Sequence, residues 1–147
     1  MSVKAGAPKP DISTVDALVK SLMDAESIAY SASASGTYLS EELFPKLDPS
    51  GQIMAKSTEI VGERVGAVVA RGEAELGFQQ VSELLPIEGA DFVGTIPDEV
   101  QKVTTFSAGI AAGSENPEAA RELIACLGSP EAAPVIEKTG LEPVLTN

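Results

Sequence analysis

The sequence predicts a three-layer α/β domain in which a mostly parallel sheet is flanked by helices. Strand-like and helix-like segments alternate along most of the chain, and this alternation favours parallel strands joined by helical crossovers. Apolar residues make up 44% of the chain, but aromatic residues only 4%. Such a core of Ala, Val, Leu and Ile suits helices that pack closely on a sheet. We therefore expect residues 1–147 to form a single domain.

In the first half of the chain, prolines, glycines and helix-capping residues mark where the predicted helices and strands begin and end. Apolar residues at helical spacing follow Ser13 and Thr14, either of which is a suitable helix cap. In chain order, the pattern predicts a strand at 2–5, a helix from Ser13 or Thr14 to about 25, a strand at 27–31, a helix that begins after Thr37, a short helix at 52–56 and a strand at 58–61.

The second half continues the alternation and ends with two helices. The pattern predicts a helix at 64–71, a strand at 75–80, one helical turn at 82–85, a strand at 90–93 and a long strand at 103–112. Asn116 and Ser129 are each followed by proline, which favours a helix N-terminus at both points. The residues expected in core strands are Ile28, Tyr30, Leu76 and Phe78.

Composition excludes several classes of function. The formal net charge is −12, and the ten basic residues form no cluster, which argues against binding to nucleic acid or to an anionic membrane. No apolar run is long enough to span a membrane, and the first residues lack the apolar segment of a signal peptide. As written, the chain is therefore expected in the cytoplasm. We expect the single cysteine, Cys126, to be a buried thiol.

The absence of histidine limits the chemistry further. It excludes Ser–His and Cys–His nucleophile pairs and the usual zinc ligand sets. We therefore predict no catalytic constellation, no metal site and no cofactor. An enzyme remains an alternative, with Tyr30, Tyr38 or a carboxylate as the general acid or base.

Four stretches, in order, resemble a known family. They are VKAGAPKPDIST at 3–14, SIAYSASASGTY at 27–38, VVARGEAELGFQQVSELLP at 68–86 and AGIAAGSENPEAARELIACLGSPEAAPVIEKTGLEP at 108–143. Together they resemble the extracellular solute-binding proteins of ABC transporters, a family that includes molybdate-binding proteins and has the type 2 periplasmic-binding-protein fold.

The resemblance implies a protein of two lobes that hold a ligand between them. The chain matches the second lobe and the C-terminal return, so it is expected to lack most of the N-terminal lobe. It would then bind weakly by itself, and a homodimer or the missing lobe would complete the cleft. The family also implies a periplasmic location and a role in transport.

Two segments are candidate ligand contacts. Residues 33–38 form a small-residue loop before a helix, where backbone N–H groups and the helix dipole favour an oxyanion or carboxylate. The alternative is that Ser35 or Thr37 merely caps this helix. A second segment ends the strand at 75–80, and ligands of parallel α/β sheets collect beyond the carboxyl ends of strands. The predicted contacts are Ser33, Ser35, Gly36, Thr37, Tyr38, Gln79 and Gln80.

The ligand is expected to be small and either anionic or polar. Molybdate-binding members tend to carry Tyr near the position of Gln80, and this departure favours a polar organic ligand over molybdate. The helix opened by Glu63, Arg64 and Val65 is a weaker candidate for the same cleft. Three readings of function stay open: a solute-binding lobe, a lyase or isomerase that acts on a small carboxylate, and a fragment without independent function.

Overall fold

The computed structural model describes residues 1–144, which fall into two compact units, Met1–Val103 and a second that begins at Thr104. The first unit contains five strands: β1 (Ser2–Lys4), β2 (Ile28–Ser31), β3 (Ser57–Ile60), β4 (Leu76–Phe78) and β5 (Ala90–Phe92). Its helices are α1 (Val15–Asp24), α2 (Ala34–Thr37), a π-helical segment (Tyr38–Leu43), α3 (Phe44–Leu47), α4 (Gln52–Ala55), α5 (Val65–Arg71), α6 (Val81–Leu84) and a 3₁₀ turn (Asp98–Val100). The second unit contains α7 (Pro117–Leu127) and α8 (Ala133–Lys138).

The five strands form one sheet in the order β3-β2-β4-β1-β5. Strand β2 pairs in parallel with β3 and β4, whereas β1 pairs antiparallel with β4 and β5. Four strands therefore run in one direction and β1 runs against them. This arrangement confirms the predicted mostly parallel sheet, with the strand at 75–80 in its centre.

Helices cover both faces of the sheet, as the sequence predicted. Along β2, Ile28 and Tyr30 pack in a large cluster with residues of α1, α3 and α4, whereas Ala29 packs on the opposite face against α5. Side chains of a strand alternate between faces, so one buried strand serves both layers. The four predicted core residues are buried: Ile28, Tyr30, Leu76 and Phe78.

Gly77 allows α5 to pack closely on the centre of the sheet. A Cβ atom at this position would lie 2.5 Å from Cγ2 of Val69 and 2.9 Å from Cγ1 of Val65. Both valines are fully buried on the inner face of α5. This close packing fixes the first residue of α5, Val65, beside the end of β4.

Three predictions about residues 103–144 are wrong. Residues 103–112 form no strand, because a strand needs a hydrogen-bonded neighbour and these residues pair with none of the five strands. The last helix begins at Ala133 rather than after Ser129, because Ser129 instead starts a turn in which its carbonyl and hydroxyl oxygens accept from the N–H of Ala132. Cys126 is exposed, since α7 buries none of its residues.

Asp48 closes the turn between α3 and α4. Its buried carboxylate accepts hydrogen bonds from the N–H of Ser50 (3.0 Å), the N–H of Ile53 (2.8 Å) and the hydroxyl of Ser50. The hydroxyl of Ser50 and the N–H of Ile53 hold the pKa of Asp48 below its usual value. The ionised side chain thus satisfies donors at the start of α4 that the helix itself leaves without partners.

We predict that Asp48→Asn lowers the melting temperature by a few degrees at neutral pH, because an amide oxygen accepts these bonds less strongly than a carboxylate. The depressed pKa means that the stabilisation is fully present above the unfolded value of about 3.9 and is lost as the pH falls through the folded value. Thermal melts at a series of pH values should therefore show the variant and the wild type converging as the solution becomes acidic. Asp24→Asn, at an exposed ion pair with Lys20, is the control and should show no such convergence.

Candidate functional site

The candidate site lies at the edge of the sheet where β2, β3 and β4 end. In the parallel register, Ser31 pairs with Ile60 and Tyr30 pairs with Phe78. The residues that follow β2 and β4 therefore emerge side by side, at a strand spacing of roughly 4.8 Å. We call this the carboxyl edge. It brings together the two predicted segments, residues 33–38 after β2 and residues 79–80 after β4.

Three serine hydroxyl groups meet directly after β2. The Oγ atoms of Ser31 and Ser33 are 2.8 Å apart, those of Ser33 and Ser35 are 3.0 Å apart, and those of Ser31 and Ser35 are 3.3 Å apart. Ser31 is buried, Ser35 is partly exposed and Ser33 is exposed. We call these residues the serine cluster. Ser33 and Ser35 present hydroxyl groups that a solute can reach, while Ser31 lies beneath them.

The helix after β2 begins at Ala34, earlier than the sequence predicted. Ser33 occupies the N-cap position in an extended conformation, and its side chain makes no capping bond. The expectation that Ser35 or Thr37 caps the helix is therefore wrong, since both lie inside it, and the hydroxyl of Thr37 donates back to the carbonyl of Ser33 at 3.2 Å. The N–H groups of Ala34, Ser35 and Gly36, in the first helical turn, have no carbonyl of the same helix to bond.

Gly36 lets this helical turn lie against the end of β2. A Cβ atom at Gly36 would lie 1.5 Å from the carbonyl oxygen of Ser31 and 2.7 Å from its carbonyl carbon. Both atoms belong to the backbone, which cannot move aside as a flexible side chain can. Gly36 is therefore a packing requirement that holds the helix start beside Ser31, and it is buried.

Tyr38 points toward a different part of the first unit. Its hydroxyl donates to the carbonyl of Val100 at 2.8 Å, and Nζ of Lys102 lies 4.8 Å from its ring centroid. Lys102 also pairs with Glu42 at 3.1 Å. The tyrosine that the sequence proposed as a ligand contact thus anchors the chain that follows the 3₁₀ turn.

Gln79 and Gln80 directly follow β4, and both have structural roles there. The side-chain oxygen of Gln79 accepts from the N–H of Val65 at 2.9 Å and so holds the first residue of α5 at the carboxyl edge. The backbone carbonyl of Gln80 accepts from Glu83 and Leu84 at the start of α6. Their side chains remain partly exposed at the edge.

Ser31, the buried member of the serine cluster, is not among the ligand contacts that the sequence predicts. A signal was available: Ser31, Ser33 and Ser35 alternate with alanine immediately after a buried strand. We treated Ser31 as part of the strand alone, although a polar residue at a strand end can still point into the site.

Two depressions in the surface lie away from the carboxyl edge. The larger, of about 560 Å³, is lined by residues such as Lys9, Lys20, Asp24 and Glu75, and the second shares Asp24 and Glu75 with it. Glu75 directly precedes β4, so both depressions lie at the opposite, amino ends of the parallel strands. Across residues 1–144 no group of three or more Cys, His, Asp or Glu side chains is arranged to hold a metal ion, and no helix is long and apolar enough to cross a membrane.

The chain belongs to the bacterial extracellular solute-binding proteins. The family model matches residues 1–142, which is nearly the whole chain. This match agrees with an α/β lobe whose polar site lies at the carboxyl edge of a mostly parallel sheet.

A curated relative from Pseudomonas sp. is named aconitate isomerase. It is 55% identical over 144 residues, which cover 98% of this chain and 55% of the relative. The chain therefore spans about half the length of this relative. No solved structure matches the chain significantly.

We predict that Gly36→Ala destabilises the fold by about 1–3 kcal/mol or more, because the new methyl group collides with the Ser31 carbonyl. Urea unfolding curves followed by circular dichroism would measure the change. Gly113→Ala is a matched control, since a Cβ atom there meets nothing within 4 Å. If the two variants unfold at the same urea concentration, the close approach of the helix to β2 is not a real constraint.

Proposed function

We propose that this chain supplies one wall of a binding site for a small carboxylate. The observation that carries the proposal is the serine cluster beside the first turn of the helix after β2. Hydroxyl and backbone N–H donors converge there, and donors of this kind suit the oxygen atoms of a carboxylate without a cation in direct contact. Membership of a solute-binding family supports a small ligand of this sort.

The expected affinity is weak. Each hydrogen bond to a charged acceptor contributes roughly 1.5–3 kcal/mol, and the dipole of the helix start adds roughly 0.3–1 kcal/mol. Binding must offset the loss of translational and rotational freedom, which costs at least about 4 kcal/mol. Two or three bonds therefore correspond to a dissociation constant of the order of millimolar.

We also propose that a second surface completes the site. The chain acts in this proposal as a single periplasmic-binding-protein-like lobe. A second copy of the chain, or the portion of the aconitate isomerase relative that the chain does not span, would supply the opposite wall. Tighter binding would then require that second surface.

The second candidate function is isomerisation of aconitate. The support for it is the sequence identity to a relative of that name, and not the geometry of the candidate site. The relative named aconitate isomerase is 55% identical to this chain over 144 residues, which are 98% of this chain and 55% of the relative. An isomerase that shifts a double bond needs a group that removes and returns a proton. Glu83, on helix α6 that follows β4 at the carboxyl edge, carries a carboxylate suited to this role, and it pairs with Arg64 in the structure.

We predict that the double variant Ser33→Ala, Ser35→Ala weakens binding of aconitate about tenfold or more, because it removes the two accessible hydroxyl donors. Isothermal titration calorimetry with the 147-residue chain would measure the change. The matched control is Ser40→Ala, which removes a hydroxyl in the following π-helical segment that bonds to the carbonyl of Thr37. Equal affinity of the double variant and the control, with both folded, would refute the proposed site.

The isomerase candidate has its own test. Incubation of the 147-residue chain with one geometric isomer of aconitate, followed by proton NMR, should reveal the other isomer at a rate proportional to protein concentration. Binding without interconversion would leave the chain as a solute-binding wall and reject isomerisation by this chain acting alone.

A further inference from the structure

We propose that Arg64 is a specificity-determining residue that makes this site select molecules with more than one carboxylate group. The inference rests on the proposed function, since it requires that one carboxylate group occupies the serine cluster. It adds a second point of contact, supplied by a guanidinium group at the start of α5.

The position of Arg64 follows from contacts at the carboxyl edge. Arg64 directly precedes Val65, whose N–H is held at 2.9 Å by the side chain of Gln79. Gln79 follows β4, and β4 pairs with β2, which leads into the serine cluster. Arg64 therefore lies at the start of α5, beside the residues that follow β4, and the serine cluster lies at the end of β2, the strand that pairs with β4. A small di- or tricarboxylate in the proposed site would contact both groups.

In the structure the guanidinium group of Arg64 forms an ion pair with the carboxylate of Glu83. Nε of Arg64 lies 3.0 Å from Oε2 of Glu83, which is on α6. Both side chains are substantially exposed, at 51% and 37%. An exposed ion pair contributes little stability, so a carboxylate of the solute can replace Glu83 at small cost.

Arg64 differs from Arg71, at the other end of α5, in how many partners its guanidinium group has. Arg71 makes four hydrogen bonds, two with Glu63 and two with Glu73, which occupy its guanidinium. Among residues 1–144, Arg64 has one ion pair, whose shortest contact joins Nε to Oε2 of Glu83. Its guanidinium is therefore less occupied than that of Arg71 and can offer a carboxylate of the solute the bidentate contact that a carboxylate prefers.

Lys102 is the other cation near the helix after β2, but its ammonium group has two partners. It lies over the ring of Tyr38 and pairs with Glu42. A chain with 22 acidic and 10 basic residues repels polyanions on average, so selection of a polycarboxylate depends on a local cation. Arg64 is the cation at this edge that a solute can engage by displacing one partner.

The test compares two probes by NMR titration of the 147-residue chain. Tricarballylate is the saturated tricarboxylate analogue of aconitate, and acetate carries one carboxylate. Arg64→Gln should weaken binding of tricarballylate about tenfold or more while leaving acetate binding unchanged, because only tricarballylate reaches the second contact. Glu83→Gln should tighten tricarballylate binding by up to about fivefold, because the competing carboxylate is removed.

Arg71 and Glu73, which pair at the far end of α5, provide the controls. Arg71→Gln and Glu73→Gln change the same kinds of group and should leave both affinities unchanged. The inference is overturned if Arg64→Gln behaves like Arg71→Gln, if it weakens acetate equally, or if Lys102→Gln produces the selective loss instead. If the wild type binds neither probe, the proposed function itself fails; if it binds tricarballylate and acetate equally, only the role of Arg64 fails.

Discussion

The parallel pairing of β2 with β3 on one side and β4 on the other determines where every candidate functional group lies. Because the three strands run in the same direction, their carboxyl ends form one edge, and the segments that leave β2 and β4 start side by side. The buried side chains of β2 lock this register, since a shift of one residue would turn Ile28 and Tyr30 from one layer to the other. The serine cluster and the Gln79 contact with α5 both depend on that register.

The site combines rigid support with neutral donors. Gly36 holds the helix start against the Ser31 carbonyl, and Gln79 holds the start of α5 against the end of β4. These two contacts leave little freedom in the backbone around the serine cluster. The net charge of −12 disfavours the approach of anions, so the proposed carboxylate would bind only if the local donors and the guanidinium of Arg64 outweigh that repulsion. The proposal therefore favours ligands that accept several hydrogen bonds at the same time.

The sequence predicted most of the fold because its signals were local. Thr14 accepts a bond from Ala17 as a helix cap should, and the valines of residues 64–71 face inward at helical spacing. The wrong predictions concern segments whose secondary structure depends on contacts with residues distant in the sequence. Residues 103–112 have the composition of a strand but no neighbour to pair with, and the helix after β2 starts early because Gly36 can approach Ser31. Likewise, the roles of Ser31, Gln79 and Tyr38 depend on contacts that no short motif encodes.

The central claim is that a small carboxylate binds at the carboxyl edge of β2 and β4. An amide NMR titration of the isotope-labelled chain with aconitate tests it most directly, because each backbone N–H reports its own surroundings. The account predicts that the largest shifts fall on Ser33, Ala34, Ser35 and Gly36, with smaller shifts at Gln79 and Gln80. Shifts concentrated around Lys9, Lys20 and Glu75, which line the larger depression at the opposite edge, would contradict it.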